Sequence, residues 1–124
     1  MKVNGDIEFT LVEQSADRVV GTMPVLPGIL NPFGVVHAGA MLWFADVCAT
    51  VLTFGTTEVT PGVTGFPLGI GLNAVILGNQ KGGTFTATSE FVKKGRAVSV
   101  VRTSIVGDDG RLIADVTTSH IPSK

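Results

Sequence analysis

Tyrosine is absent, cysteine and tryptophan occur once each, and only 15% of the residues carry charge. The lone cysteine, Cys48, excludes a disulfide within the chain. Set among apolar residues, it reads as a buried thiol in a reducing cytoplasm. The two histidines lack metal-ligand spacing, so neither a metal site nor a cofactor is expected. A formal net charge of −1 leaves no electrostatic footprint for DNA or RNA. No signal-like apolar run occupies Met1 to Thr10, and the longest helical apolar stretch is interrupted by Asp46, which argues against a membrane span.

What is present is apolar. Hydrophobic residues make up 44% of the 124 positions, enough for one modest core in a single domain spanning 1–124. So thin a charged coat on so small a domain suggests that some apolar surface meets another copy of the chain.

Residues Asp6 to Leu11 alternate polar and apolar and predict a strand; Ala16-Asp17 marks a turn, and Arg18 to Met23 a second strand of a hairpin. A loop rich in turn formers follows from Pro24 to Val36. The one clear helix is Ala38 to Phe54, free of internal proline and stopped by Gly55, with apolar residues on nearly every side. Beyond Thr60-Pro61-Gly62, strands are predicted near Gly69–Leu77, Thr84–Val92, Ala97–Val106 and Arg111–His120. Their short connections imply antiparallel neighbours in sequence order. Together these elements predict an α+β fold: one curved antiparallel sheet wrapped around one helix, with the uncovered face or an edge left for oligomer contacts.

Asp46 is the anomaly, a carboxylate halfway along this greasy helix. It must be paired or wetted, because burying a lone charge is costly. No cation stands at helical spacing from it, while Thr50 lies one turn on, where its hydroxyl reaches Asp46 or a water beside it. A structural Asp bonded to loop backbone is the plainer alternative. Upstream, Asn31 to Gly39 brings a polar turn to the helix start. The first N–H groups of a helix have no helical partner, and the dipole adds positive charge. Such a terminus can hold an oxyanion, although most helix starts are only caps. His37 by itself reads first as a hydrogen-bonded structural residue.

The pattern Asn31…Gly34…His37-Ala38-Gly39…Ala45-Asp46 resembles the hotdog-fold thioesterases of the phenylacetate-pathway and Arthrobacter-type 4-hydroxybenzoyl-CoA kind. The likeness runs from the hairpin to the last strand. It implies hydrolysis of an aryl or short to medium acyl-CoA to the free acid and CoA. It further implies that Asp46 is nucleophile or general base, that Ala38 N–H holds the oxyanion beside Gly39, and that Asn31 helps polarise the carbonyl. Thr50 would position water, and His37 belongs to the same turn. Ala38 stands where the family usually has glycine; the N–H survives, but the added methyl bears on which acyl groups fit.

Ala38 and Asp46 are eight residues apart, roughly 12 Å along a helix at about 1.5 Å per residue. Oxyanion donor and nucleophile must each lie about 3 Å from the reacting group. If both roles hold, the site joins Ala38 of one subunit to Asp46 of another. The resemblance likewise implies a dimer, often doubled into a tetramer, with sites at the interface. Lys93-Lys94-Gly95-Arg96 forms a basic turn between strands. It reads either as a solvated hairpin tip or, by the resemblance, as the place where CoA phosphates lie. Gly69 and Gly71 suggest a bulge or a close approach of substrate, and Trp43, Phe44, Phe54 and Phe66 are candidate pocket or core residues. Cys48 lacks a base partner, and His120 carries no motif. Two rival functions share the fold: a non-catalytic acyl-CoA sensor, and a hydratase or dehydratase. The latter's His-to-acid separation is longer than that from His37 to Asp46.

Overall fold

A computed structural model gives the fold and describes residues 1–55 and 60–122. Six strands, β1 (Thr10–Gln14), β2 (Arg18–Pro24), β3 (Leu68–Ile76), β4 (Thr84–Lys93), β5 (Ser99–Val106) and β6 (Leu112–Ile121), form one antiparallel sheet around the helix α1 (Ala38–Phe54). A short 3-10 turn occupies Pro27–Ile29.

The helix begins and ends where the sequence places it, because both caps are local. His37 has extended backbone and its Nδ1 accepts the Ala40 N–H at 2.9 Å, while Gly55 adopts φ 82° and donates its N–H to Leu52. Ala40, Met41, Phe44, Ala45, Cys48, Ala49, Val51 and Leu52 are buried against the sheet with Val19, Met23, Phe85, Ala87, Val101, Ile105, Ile113 and Val116. Strand alternation supplies the other half of this core: on β4, Phe85, Ala87 and Ser89 point inward, and the Ser89 hydroxyl meets that of Thr103 at 2.7 Å, so neither polar group is buried unpaired.

Two expectations are corrected. The first strand is not Asp6–Leu11 but Thr10–Gln14. The Ser15–Arg18 turn is closed by its own backbone bond and by the Ser15 hydroxyl, so the partner of β2 has to run up to Ser15. Residues 6–9 are used otherwise: Asp6 N–H bonds Gly28, and Phe9 packs on Trp43 and Phe44. The second correction is topological. The strand order is β1-β2-β4-β5-β6-β3, so β3 and β4, although joined by a short link, are not neighbours. Three strand spacings of about 4.8 Å are well within reach of the eight-residue step from Ile76 to Thr84. That link is fixed by Leu77 N–H to Ile113, by Asn79 to both backbone groups of Val36, and by Gln80 to Asp108.

As a result β3 lies at the sheet edge, paired among the described residues to β6 alone, and Leu68, Ile70, Leu72, Val75 and Ile76 are all exposed. Among the described residues, no helix is long and apolar enough to cross a membrane.

Candidate active site

Asp46 sits on the side of α1 turned away from the sheet centre, half-exposed, in line with Thr50 one turn on. None of the hydrogen bonds or ion pairs between described residues engages its carboxylate. Asp46 instead borders a cavity of about 470 Å³ whose other walls include Val47, Thr50, Val51, Phe54, Val63, Phe66 and Pro67. An acid with free lone pairs at the rim of an apolar pocket can attack, or activate water against, a group held there. On its far side Asp46 also borders a groove formed by Gly69, Ile70, Gly71 and Leu72 of β3.

The start of the helix is a separate place. Ala38 and Gly39 are exposed, and no described residue accepts their N–H groups, since the His37 cap takes that of Ala40. His37 is thereby given a structural task, shaping the turn that presents these donors. The Asn31 side-chain oxygen accepts the N–H groups of Phe33 (2.9 Å) and Val35 (3.3 Å), which folds the loop and leaves its amide N–H₂ without a partner among the described residues.

At the opposite end, Lys93, Lys94 and Arg96 are exposed around Gly95. Gly95 and Ser99 exchange two hydrogen bonds of 3.2 Å that close the turn, and a Cβ at Gly95 would collide with the Val98 carbonyl. Lys94 lies over the Phe91 ring, 5.5 Å from its centre. Lys94 and Gly95 border a second cavity whose walls include Phe54 and Pro67, residues that also line the Asp46 cavity.

No family model matches the chain. A curated relative does: the "Putative esterase ComA2" of Bacillus subtilis is 34% identical over 103 residues, covering 83% of this chain and 79% of its own length. The chain belongs to the hotdog-fold thioesterase family. A thioesterase from Staphylococcus aureus superposes with a TM-score of 0.85 at 25% identity, over 94% of this chain and 93% of that one. A Streptococcus mutans protein crystallised with acetyl CoA has the same fold, with a TM-score of 0.83 at 20% identity over 94% and 89% of the two chains. The enzyme is a thioester hydrolase on this fold.

Of the aromatic residues named from the sequence, Phe54 and Phe66 line the thioesterase's cavity; Phe44 is core, and Trp43, 48% exposed, packs edge-on against Phe9. Gly69 and Gly71 do flank a bulge. Cys48 is fully buried, and burial pushes its thiol up to about 12. Gly62, Val63, Phe66, Pro67 and Leu68 supply much of the cavity wall, and in the sequence this segment offers no signal beyond turn residues and Phe66. His120, which carries no sequence motif, is buried beside Asp46, and burial lowers its imidazole below the usual range while the Asp46 charge pulls the other way. Only the packing of α1 on β6 makes that neighbour visible.

Proposed function

We propose that this thioesterase hydrolyses acyl-CoA esters with an apolar acyl group, with Asp46 as the catalytic carboxylate. The observation that carries the reading is the unpaired Asp46 carboxylate at the rim of a cavity walled by Val47, Val51, Phe54, Val63 and Phe66. Asp46 is the sole charged residue on that wall among the described residues, which suits an aryl or alkyl acyl group and not one ending in a carboxylate.

The carbonyl carbon is attacked either by an Asp46 oxygen, giving a mixed anhydride that water then opens, or by a water that gives its proton to Asp46. In both routes the C–S bond breaks, CoA leaves as thiolate and takes up a proton, and the free acid is released. The N–H groups of Ala38 and Gly39 and the Asn31 amide hold the oxyanion, and Thr50 orients water. Single-turnover hydrolysis in ¹⁸O-water tests the nucleophilic route, since label in Asp46 arises only when water opens the anhydride at the Asp46 carbonyl. Lys93, Lys94 and Arg96 bind the CoA phosphates at the turn that Gly95 opens; acetyl CoA in the Streptococcus mutans structure supports the ligand class.

Ala38 and Asp46 are too far apart along one helix to share a carbonyl, so each site combines the helix start of one protomer with Asp46 of another. The exposed apolar edge of β3 supports a dimer joined there. A panel of aryl, short and long acyl-CoAs, with a thiol reagent to follow CoA release, tests the activity. Turnover of aryl or medium acyl-CoAs is expected. Tight binding without turnover would turn the reading into that of a sensor. The shared site has its own test. Ala38→Pro removes the donor at a helix position that tolerates proline, and Asp46→Asn removes the acid. Each variant alone is expected to be inactive, and a subunit-exchanged mixture to regain roughly a quarter of wild-type activity. No recovery in proven heterodimers would place both groups in one protomer.

A further inference from the structure

His120 projects from β6 toward α1 and is 1% exposed. Its Nε2 lies 2.7 Å from the hydroxyl of Thr118, itself 2% exposed, while its Nδ1 is buried with no hydrogen-bond partner among the described residues. A buried unpaired ring nitrogen is rare and costly, and needs a reason. Directly opposite His120 on β3 stands Gly69. A Cβ built on Gly69 would lie 3.5 Å from Asp46 Oδ1 and 3.9 Å from both Nδ1 and Cε1 of His120. The missing side chain of Gly69 thus leaves a space that the acid and the orphan nitrogen both face.

We propose that His120 is a positioning residue, whose Nδ1–H holds the Asp46 carboxylate in its reactive orientation through one water in the space beside Gly69. The inference rests on Asp46 being the catalytic acid. In this proposal Thr118, 2.7 Å from Nε2, takes the donor role and the ring proton is assigned to Nδ1, the unpartnered nitrogen beside the Gly69 space. Nδ1–H then donates to the water, and the water donates to Asp46, a chain in which each bond polarises the next. Burial favours the neutral ring, so the chain orients Asp46 without adding a second charge. Among the described residues, the titratable groups lining the cavities around this point are Asp46 from α1, His120 from β6 and Lys94 from the β4–β5 turn; β3 contributes none. Glycine at position 69 is explained by the same arrangement. Its bulge shifts the register of β3 against β6 there, and a side chain would fill the bridge without clashing with either partner.

Four single variants and one double variant, assayed by steady-state hydrolysis of one acyl-CoA that the wild type turns over, test the proposal. His120→Leu is expected to lower kcat about 10- to 100-fold with little change in KM, because a misaimed carboxylate costs rate and not binding. The acid limb of its kcat/KM profile should move up by about half a pH unit or more, since the carboxylate has lost a donor. His120→Asn places an amide N–H where Nδ1–H was, and should return both values close to wild type. Gly69→Ala should reproduce the shift of His120→Leu, and the double variant should be no worse than His120→Leu alone. An acid limb unmoved in Gly69→Ala and His120→Leu, or an Asn variant as impaired as the Leu variant, reduces His120 to a packing residue and overturns the proposal. If the Leu variant does not fold, the Asn and Gly69→Ala profiles decide. The fourth variant, Asp46→Asn, separates the two readings. Wild-type turnover in it overturns both, whereas its inactivity beside an unperturbed His120→Leu overturns only the role of His120.

Discussion

On the side of α1 that faces the sheet, Phe44, Ala45, Cys48 and Leu52 are fully buried; on the other side Gly39, Trp43, Asp46 and Thr50 reach solvent or the cavity. Both stripes run through one continuous apolar helix, and helical periodicity alone would not rank one above the other. The closed stripe packs into the core with residues of β2, β4, β5 and β6. The open stripe is packed less closely and borders the cavity and solvent, and the carboxylate lies there. Burial is therefore the better guide to chemistry in this helix: Cys48, two positions from Asp46, is silenced by the same core that Asp46 avoids.

This contrast can be broken or sharpened by substitution. The largest effect is expected on the open side, where Asp46→Asn should lower kcat/KM by about a hundredfold or more with little change in Tm; a normal rate would remove the chemical half of the comparison. On the closed side, Phe44→Ala should cost about 3–5 kcal/mol of stability in denaturant titration. A loss under 1 kcal/mol would mean that the core is looser than its burial implies. Cys48 gives a pH test. Its thiol is held at about 12 in the folded chain against an ordinary 9.0, so above pH 9 the unfolded chain loses a proton that the native one keeps. Stability should then fall as pH rises through that window, by up to about 1.4 kcal/mol per pH unit, and Cys48→Ala should remove this component. The smallest effect is expected at Thr50→Val, which keeps the shape beside Asp46 but deletes the hydroxyl: a decrease in kcat of about tenfold, with stability unchanged.

Much of the fold was legible in the sequence because it is written locally. The helix from Ala38 to Phe54 is bounded by the His37 cap and Gly55, and β4 shows its inward face in the alternation of Phe85, Ala87 and Ser89. The bounds of the first strand are not legible, because residues 6–9 alternate as a strand does while serving to reach Gly28 and pack Phe9 on the helix. The order of strands was not legible, since a link as short as 77–83 reads as a hairpin whether or not its strands pair. Asp46 stood out because a charge in an apolar helix is anomalous wherever it lies. His120 did not, because a histidine near the chain end has no pattern to break.

By itself the sequence determined the helix and its bounds, the later strands, the alternation of β4, the odd carboxylate and the basic turn, all of which depend on neighbours a few residues apart. Only the tertiary structure decided that β3 becomes an exposed edge, that Phe44 is core while Phe66 is cavity wall, and that His120 faces Asp46 across Gly69. Those outcomes depend on how a curved sheet closes around one helix, and closure joins residues that chain separation keeps apart.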